Sequence, residues 1–423
     1  MSDRLLVKNA KLRDGSVTDI LVEDGKFAKI QPKIQIEQVD TIDAKKRLVS
    51  PPFCDAHLHL DAVLSVGRPR YNQSGTLLEG IQIWSELKEK LDKETIKKNA
   101  IEVIQWEAVN GSMFLRTHAD ATDSSGNAVE ALLEVKEAVK DFVDLQIVAF
   151  PQDCIFTRRG NARMLEDAVE KGCDVVGGLP YIELSPEDGL RDVKYVFDLA
   201  EKYDRLIDIH CDENTDDQSR YVEAIARETI VRDMQGRVSA SHTTAMHNYN
   251  NDFAQKLIGN LKRADLNIIT NPFPNSCLQN RTDGYPRHRG HTRVDELAAA
   301  GINVAAGSDD IMDPWYPMGK GSPLTVVNLL MNYAQMSGYD QINYLFDMIT
   351  YNGAKALGLK EYGIKEGNPA DFIILDADSE FDAIRLCSEV IYTVRRGKII
   401  AKVEPAKRTF HGDGEERQVD FKI

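Results

Sequence analysis

The sequence predicts an α/β fold in which a (β/α)8 barrel of the TIM type is joined to a small β domain. Eight apolar runs of strand length alternate with longer helical patterns between residues 48 and 310. Each run ends in polar side chains, as barrel strands do at the face where active sites are built. Short strand-like runs occupy both ends of the chain, which indicates that the two termini pair in a second, smaller unit.

The first 48 residues predict short strands and carry no candidate catalytic group. Residues 5–7 and 19–22 have the character of short strands and are separated by turn residues. Asp24-Gly25 stands between two alternating runs, where this dipeptide is a strong signal for a β-hairpin. We interpret the segment as a β meander.

The barrel is predicted from the next 260 or so residues, because regular alternation of strands and helices favours a closed parallel sheet. The eight runs cover residues 48–59, 113–120, 145–152, 174–181, 206–213, 238–244, 266–271 and 302–310. Helical spacing of apolar residues is found at 128–140, 192–202, 218–234 and 250–264. The longest insertion, 61–111, follows the first strand and has an amphipathic stretch at 84–91, so we expect it to cover the barrel mouth.

After the barrel the chain is expected to form one helix and then return to strands. The pattern at 342–359 predicts a helix with Gly358 near its C-terminus. Apolar runs at 372–375, 390–394 and 398–403 predict strands, which we expect to pair with the N-terminal ones. The charged segment 407–418 is expected to be loosely ordered.

Composition excludes several classes of protein. The 423 residues are 42% hydrophobic and 28% charged, as in an ordinary globular protein. A formal net charge of -15 without a basic stripe argues against nucleic-acid binding. Six well-separated cysteines with no Cys-x-x-Cys pair fit a reducing cytoplasm. Because no signal peptide and no membrane-length apolar run are present, we expect a cytoplasmic protein without a membrane partner.

Four potential metal ligands stand at predicted strand ends. His57 and His59 are spaced i, i+2 on the first strand, so their imidazoles face the same way. His210 ends the fifth strand and Asp309 ends the eighth. A catalytic zinc-type site needs about three to five nitrogen and oxygen ligands and an open position for water. The sequence therefore predicts a metal centre at the barrel mouth.

Two further groups at the same edge are suited to proton transfer. Glu213 lies just beyond His210, where a carboxylate could move protons without binding the metal. His242 ends the sixth strand, as a further ligand or as a hydrogen-bond partner of the water on the metal.

This pattern resembles the amidohydrolase superfamily, with His-x-His on strand one, His on strands five and six, and Asp on strand eight. Residues 363–376 resemble that family's return to a β-sandwich built from both termini. The resemblance implies a β-sandwich domain of residues 1–50 with 366–423 and a catalytic barrel of residues 51–365. Motifs at 72–77, 145–152, 210–213, 241–247, 309–310 and 313–317 resemble the bacterial cytosine deaminases.

The resemblance implies hydrolytic deamination of a small heterocycle, with cytosine as the expected substrate and uracil and ammonia as products. One divalent ion, Fe²⁺ or Zn²⁺, would be held by His57, His59, His210 and Asp309. Asp309 would accept the proton of the attacking water while His242 orients it, and Glu213 would protonate the ring. The substrate would be bound by these side chains: Gln152 and Asp310 through hydrogen bonds, and Trp315 and Leu77 on the ring faces.

Several alternatives stay open at this stage. Strand four, 174–181, has no Lys or Glu before Tyr181 to bridge two metals, which favours a single ion. The family pattern has a histidine before the strand-eight aspartate, where this chain has Ser308. A hydroxyl there is expected to alter what the pocket near the metal can donate, so isoguanine, creatinine and aminotriazines remain alternative substrates.

A hydrolase of a cyclic amide or an N-alkylamino group is an alternative within enzymes, and a non-catalytic scaffold is an alternative outside them. Retention of all four ligands and Glu213 argues against the scaffold. His118, on the second strand, is either a support for the metal centre or a packed barrel residue. The resemblance also implies a homo-oligomer.

Overall fold

Residues 4–412 and 414–421 are described by a computed structural model, which begins with a four-stranded sheet. Its strands are β1 (Arg4–Lys11), β2 (Val17–Glu23), β3 (Lys26–Gln31) and β4 (Asp40–Asp43), in the order β3-β2-β1-β4. Asp24 and Gly25 both have positive φ, as the predicted two-residue hairpin between β2 and β3 requires. The meander prediction is incomplete, because β4 returns to pair with β1 in parallel.

A short strand, β5 (Val49–Ser50), leads into eight parallel strands that form the barrel. These are β6 (Phe53–Leu58), β7 (Ser112–Asp120), β8 (Asp144–Phe150), β9 (Val175–Gly178), β10 (Leu206–Cys211), β11 (Val238–His242), β12 (Asn267–Thr270) and β13 (Asn303–Ala306). The first and last strands meet through a parallel bridge between Leu58 and Asp309. The predicted barrel is confirmed, and its closure brings the strand-one histidines beside the strand-eight aspartate.

Helices surround the barrel or extend from its mouth. They are α1 (Leu77–Leu87), α2 (Lys93–Val109), α3 (Asn127–Val139), α4 (Asn161–Lys171), α5 (Pro186–Tyr203), α6 (Tyr221–Val231), α7 (Asn251–Arg263), α8 (Pro272–Leu278), α9 (Val294–Ala299), α10 (Pro323–Tyr333), α11 (Tyr339–Met348), α12 (Tyr351–Ala356) and α13 (Glu380–Leu386). Single 3₁₀ turns occupy Lys88–Lys90, Pro180–Ile182 and Thr244–Asn248. No helix in the described ranges combines the length and apolar character needed to cross a bilayer.

The second sheet joins the two ends of the chain. Its order is β16-β15-β14-β5, from β14 (Phe372–Leu375), β15 (Val390–Arg395) and β16 (Lys398–Lys402). One apolar cluster contains buried side chains of both four-stranded sheets, for example Val7 and Val22 from the first and Phe372 and Val394 from the second. Two sheets that share one core form a sandwich, so the expected β unit built from both termini is confirmed.

Two predictions for the C-terminal part were wrong. The single helix predicted at 342–359 is broken into α11 and α12, because Thr350 leaves the helical region at φ -128° and ψ -99° and its hydroxyl bonds to Phe346 O. The segment 407–418, expected to be loosely ordered, forms two short antiparallel strands, β17 (Thr409–Phe410) and β18 (Arg417–Gln418), and residue 413 between them lies outside the described residues.

Candidate metal centre and active site

The four predicted ligands converge at the C-terminal edge of the barrel. His57, His59, His210 and Asp309 are buried, and one ligand atom from each lies within 4.8 Å of the others. Gly307 permits the last barrel strand to approach His57 closely, since a Cβ there would stand 2.7 Å from the Cβ of His57. Asp309 itself has φ +63°, a left-handed conformation that non-glycine residues adopt at some energetic cost.

The atoms that face one another suit a cation between them. The Nε2 atoms of His57 and His59 lie 3.3 and 3.4 Å from Asp309 Oδ1. The Nε2 atoms of His59 and His210 are 3.1 Å apart. His57 Nε2 is buried and forms no hydrogen bond with the described residues. Three ring nitrogens and one carboxylate in this arrangement match the ligand chemistry of zinc or iron sites.

Burial keeps two of the imidazoles in the neutral form that binds metals. It lowers the pKa of His57 to about 4 and the pKa of His210 well below its ordinary value. For His59 burial acts in the same direction, but the Asp309 carboxylate outweighs it and the pKa is raised. Burial would raise the pKa of Asp309, yet the neighbouring His242 and His57 lower it on balance. Asp309 is therefore the anionic member of the group.

Glu213 is held beside this group by three residues from two other segments. Tyr181 Oη donates to Glu213 Oε2 at 2.9 Å, and the side-chain amides of Asn275 and Gln279 donate to Oε1 at 3.4 and 3.3 Å. Burial raises the pKa of Glu213, although His242 acts against this effect. A carboxyl group with a raised pKa can hold a proton for transfer.

His242 connects Glu213 with Asp309. Its Nδ1 atom lies 3.6 Å from Glu213 Oε1 and 3.8 Å from Asp309 Oδ2, and Asn275 Nδ2 is 3.0 Å from the same nitrogen. His242 has φ +68°, which directs the chain sharply away at the strand end. The three predicted proton-handling residues are thus brought together.

A pocket of about 390 Å³, including space open to solvent, leads to these groups. The four predicted substrate-binding residues all line it: Leu77, Gln152, Asp310 and Trp315. Leu77 belongs to α1, so the insertion after the first strand contributes to the mouth as expected. Further lining residues that were not among the predicted site residues are Ile81, Phe150, Leu179, Tyr181 and Leu278. Ile81 lies one helical turn after Leu77, and this i, i+4 spacing could have identified it.

Asp310 is part of a buried carboxyl pair. Burial raises its pKa well above the ordinary value, and the nearby Asp309 and Asp313 add to the effect. Burial also raises the pKa of Asp313 to about 6, although Asp310 and two backbone N–H groups lower it. Those N–H groups, from Trp315 and Tyr316, each donate to Asp313 Oδ1 at 2.9 Å. Asp313 therefore fixes the loop that carries Trp315.

Ser308 and His118 both lie beside the metal centre without lining the pocket. Ser308 does not line the active-site pocket; its N–H donates to the Asp55 carboxylate and its side chain borders a neighbouring cleft. Its hydroxyl therefore lies outside the lining of that pocket, and its effect on the choice of substrate stays a prediction. His118 is fully buried with its ring 4.0 Å from the ring of His57, and its Nδ1 is 3.2 Å from Leu58 O. It is a packed barrel residue that supports a ligand.

Comparison with known proteins identifies the family. The model of the amidohydrolase family matches residues 40–401. The chain belongs to the amidohydrolase family. The relationship inferred from the strand-end motifs is thereby confirmed.

Individual relatives of this amidohydrolase carry related activities in their names. The N-isopropylammelide isopropyl amidohydrolase of Pseudomonas sp. (strain ADP) is 31% identical over 413 residues, covering 95% of this chain and 98% of that one. The pterin deaminase of Rhizobium rhizogenes is 29% identical, covering 92% of this chain and 89% of that one. The crystal structure of 5-methylcytosine deaminase from Klebsiella pneumoniae, liganded with phosphonocytosine, is 42% identical with a TM-score of 0.93, covering 95% of this chain and 99% of that one.

Proposed function

We propose that this amidohydrolase is a metal-dependent deaminase that converts cytosine or a 5-substituted cytosine, with water, to the corresponding uracil and ammonia. The observation that carries the proposal is the meeting of Glu213, His242 and Asp309 at the base of one small pocket. The 42% identity to a 5-methylcytosine deaminase over 95% of the chain supports the pyrimidine class.

His57, His59, His210 and Asp309 would hold the metal ion. A divalent cation bound there supplies a water molecule whose pKa is lowered toward about 7. Zn²⁺ and Fe²⁺ both suit a set of three imidazoles and a carboxylate. The metal identity is open to reconstitution with either ion.

Proton transfer would be divided between two carboxyl groups. Asp309, kept anionic by His242 and His57, accepts the proton of the attacking water, and His242 orients that water. Glu213, whose pKa burial raises, delivers a proton to the ring nitrogen beside the amine-bearing carbon. That carbon becomes more electrophilic, so the oxygen of water adds to it. The proton that Asp309 accepted passes to the amino group, which leaves as ammonia, and the proton of the added hydroxyl returns to Glu213 as the carbonyl forms. The raised pKa of one carboxyl and the lowered pKa of the other support this division of roles.

Substrate recognition would rest on the pocket walls. Gln152 offers an amide oxygen and an amide N–H₂, which match the N–C=O edge of a pyrimidine. Asp310 faces the same space as a hydrogen-bonding carboxyl group. Trp315 and Leu77 pack on the ring faces.

An alternative substrate class is favoured by one observation, the 31% identity to an N-isopropylammelide isopropyl amidohydrolase over nearly the whole chain. Removal of an alkylamino group from a triazine would use the same proton transfers but would release an alkylamine. Isoguanine, creatinine and ammelide also present an amidine-like edge to the pocket. The leaving group therefore distinguishes the candidates.

The proposal is tested with a substrate panel on protein reconstituted with Zn²⁺ and separately with Fe²⁺. The panel contains cytosine, 5-methylcytosine, isoguanine, creatinine, ammelide and N-isopropylammelide, with ammonia and isopropylamine measured separately. We expect ammonia from cytosine or 5-methylcytosine at the highest kcat/KM. Isopropylamine release with no ammonia from either pyrimidine would replace the proposal with the alternative.

The role of Glu213 is tested by Glu213→Gln, which keeps the shape of the side chain but cannot deliver a proton. We expect kcat to fall by about 10²- to 10⁴-fold, with metal content unchanged. Glu107→Gln is the matched control, since Glu107 is also fully buried but lies outside the pocket. Equal turnover in the Glu213 variant and the wild type would refute the role.

A further inference from the structure

His57 is bonded at its second ring nitrogen to a chain of side chains that runs down through the barrel. His57 Nδ1 lies 3.0 Å from Ser241 Oγ, which lies 2.6 Å from Asp208 Oδ1. Asp208 Oδ2 is 3.0 Å from Arg116 Nη1. All four residues are essentially inaccessible to solvent. They come from β6, β11, β10 and β7, so this series of hydrogen bonds exists only in the closed barrel.

The Arg116 end of the chain is fixed in place. A guanidinium group has five N–H donors and no acceptor. Five hydrogen bonds use them: Nη1 donates to Asp208 and Ser239, Nη2 to Gln146 and Ala356 O, and Nε to Gln146. Because Arg116 can only donate, Asp208 must accept from it. The buried pair therefore holds Asp208 as a carboxylate without a proton of its own.

The direction of every other bond follows from that carboxylate. Asp208 can only accept, so the single hydroxyl proton of Ser241 is donated to it. Ser241 Oγ is then left as an acceptor toward His57, so Nδ1 of His57 must carry the ring proton. A neutral imidazole has one proton, which leaves a lone pair on Nε2. Nε2 is the nitrogen that faces Asp309 Oδ1 at 3.3 Å and has no hydrogen-bond partner among the described residues.

We propose that Ser241, anchored by Asp208 and Arg116, is a positioning residue that selects the metal-binding tautomer of His57. The inference rests on the metal centre of the proposed function, but not on the identity of the substrate. It explains why a buried ion pair lies below the active site in the barrel interior, where hydrophobic side chains would ordinarily fill the space. Partners behind a ligand histidine set both its tautomer and its orientation.

A second cation is the competing explanation for the same residues. His57, His118 and Asp208 also bring ligand atoms within 4.8 Å of one another. However, the positive guanidinium of Arg116 already contacts Asp208, and Ser241 already occupies His57 Nδ1. A cation there would stand beside a fixed positive charge and would have to displace the serine. The hydrogen-bonded chain is therefore the arrangement that these contacts favour.

The test measures Zn²⁺ affinity of the metal-free protein by competition with a chromophoric chelator. Ser241→Ala removes the acceptor of His57 Nδ1, and we expect the affinity to fall by about 10- to 100-fold. Ser239→Ala is the matched control, because Ser239 lies two residues earlier on the same strand and touches Arg116 but not His57. We expect its affinity to stay within about threefold of the wild type. An unchanged affinity in Ser241→Ala, or an equal loss in both variants, would overturn the proposal.

A second variant tests the direction of the bonds. In Asp208→Asn, Arg116 can bond only to the amide oxygen, so the amide N–H₂ must face Ser241. Ser241 would then donate to His57 Nδ1 and force the ring proton onto Nε2, where it blocks metal binding. We therefore expect weaker Zn²⁺ binding in Asp208→Asn than in Ser241→Ala. In the double variant Asp208→Asn with Ser241→Ala, the hydroxyl that donates to His57 Nδ1 is absent, so we expect tighter Zn²⁺ binding than in Asp208→Asn. Weaker binding in the double variant than in Asp208→Asn would contradict the assigned direction.

Two further measurements keep the outcome clear. Histidine ¹⁵N spectra of the wild-type protein with Zn²⁺ report the tautomer without any mutation, and a proton on Nε2 of His57 would overturn the proposal even if the variants fail to fold. Ammonia release from the pyrimidine panel is measured in parallel. Wild-type protein that binds Zn²⁺ as expected but releases no ammonia would refute the proposed function and leave the role of Ser241 intact.

Discussion

Gly80 allows the pocket wall to form, and its replacement gives a sharp test of the site geometry. Gly80 lies on the buried face of α1, directly against Trp315. A Cβ at this position would stand 2.3 Å from Cδ1 and 2.7 Å from Nε1 of the indole. Ordinary carbon–carbon contacts are about 3.5 Å or longer, so Gly80→Ala must open the gap by about 1.2 Å.

The displacement would be transmitted to the substrate site. Trp315 lines the pocket on its other side, with its ring 6.2 Å from the ring of His59. A shift of about 1 Å in a positioning group can cost about 10²-fold in rate, and overpacking of a core costs about 1–3 kcal/mol of stability. We expect Gly80→Ala to lower kcat/KM for the best pyrimidine by about 10- to 100-fold, measured by ammonia release.

Gly259→Ala is the matched control for the same substitution in a helix. Gly259 lies in α7, and a Cβ there would meet no atom within 4 Å. We expect unchanged kcat/KM and a gain of about 0.5–1 kcal/mol from the higher helix propensity of alanine. The double variant Gly80→Ala with Trp315→Phe should recover part of the stability lost in Gly80→Ala. If Gly80→Ala keeps kcat/KM within threefold of the wild type, the placement of Trp315 against α1 is wrong.

Three further predictions concern stability. Lys88 is buried and contacts Asp120 and Asp153 at 2.9 Å each. Lys88→Met should destabilise the fold by about 3–5 kcal/mol in urea titrations, because the buried Asp120 loses its cation, whereas Asp153 keeps its ion pair with Arg158. A loss below about 1 kcal/mol would contradict this. Burial raises the pKa of Glu107 well above the ordinary value, so as the pH rises the unfolded chain loses this proton before the folded protein does. Above about pH 4.5 the free energy of unfolding contributed by protonated Glu107 therefore falls by up to about 1.4 kcal/mol per pH unit. Glu107→Gln should therefore gain stability relative to the wild type between pH 5 and pH 8, and a pH-independent difference would refute the raised pKa. Chelation of the metal should lower the melting temperature by roughly 5 °C, and addition of Zn²⁺ should restore it. The reason is that only the folded state binds the ion, through His57, His59, His210 and Asp309. An unchanged melting temperature in protein that elemental analysis shows to be metal-free would count against the site.

The barrel and its ligand set were accessible from the sequence because both depend on local patterns. Apolar runs of strand length predicted all eight barrel strands within a few residues of β6–β13. In a parallel barrel all strands end at one face, so polar residues after each run converge without knowledge of any contact. His57, His59, His210 and Asp309 could be grouped for this reason alone.

The break between α11 and α12 shows where such reasoning ends. Apolar spacing continues through Thr350, so periodicity predicts one helix. The chain turns at Thr350, and Gly353 on α12 then lies against Cys54 of β6, where a Cβ would stand only 2.7 Å from the Cys54 Cβ. That contact joins residues about 300 positions apart in the sequence, and a local pattern carries no information about it.

The sequence by itself determined the fold class, the family and the identity of the four candidate ligands. Only the tertiary structure decided which residues hold Glu213, that Ser308 does not line the pocket, and that Gly80 makes room for Trp315. The series of hydrogen bonds from His57 to Arg116 was likewise decided only by the tertiary structure. Periodicity and strand ends are properties of adjacent residues, whereas hydrogen-bond direction and close packing depend on which distant side chains the closed barrel brings into contact.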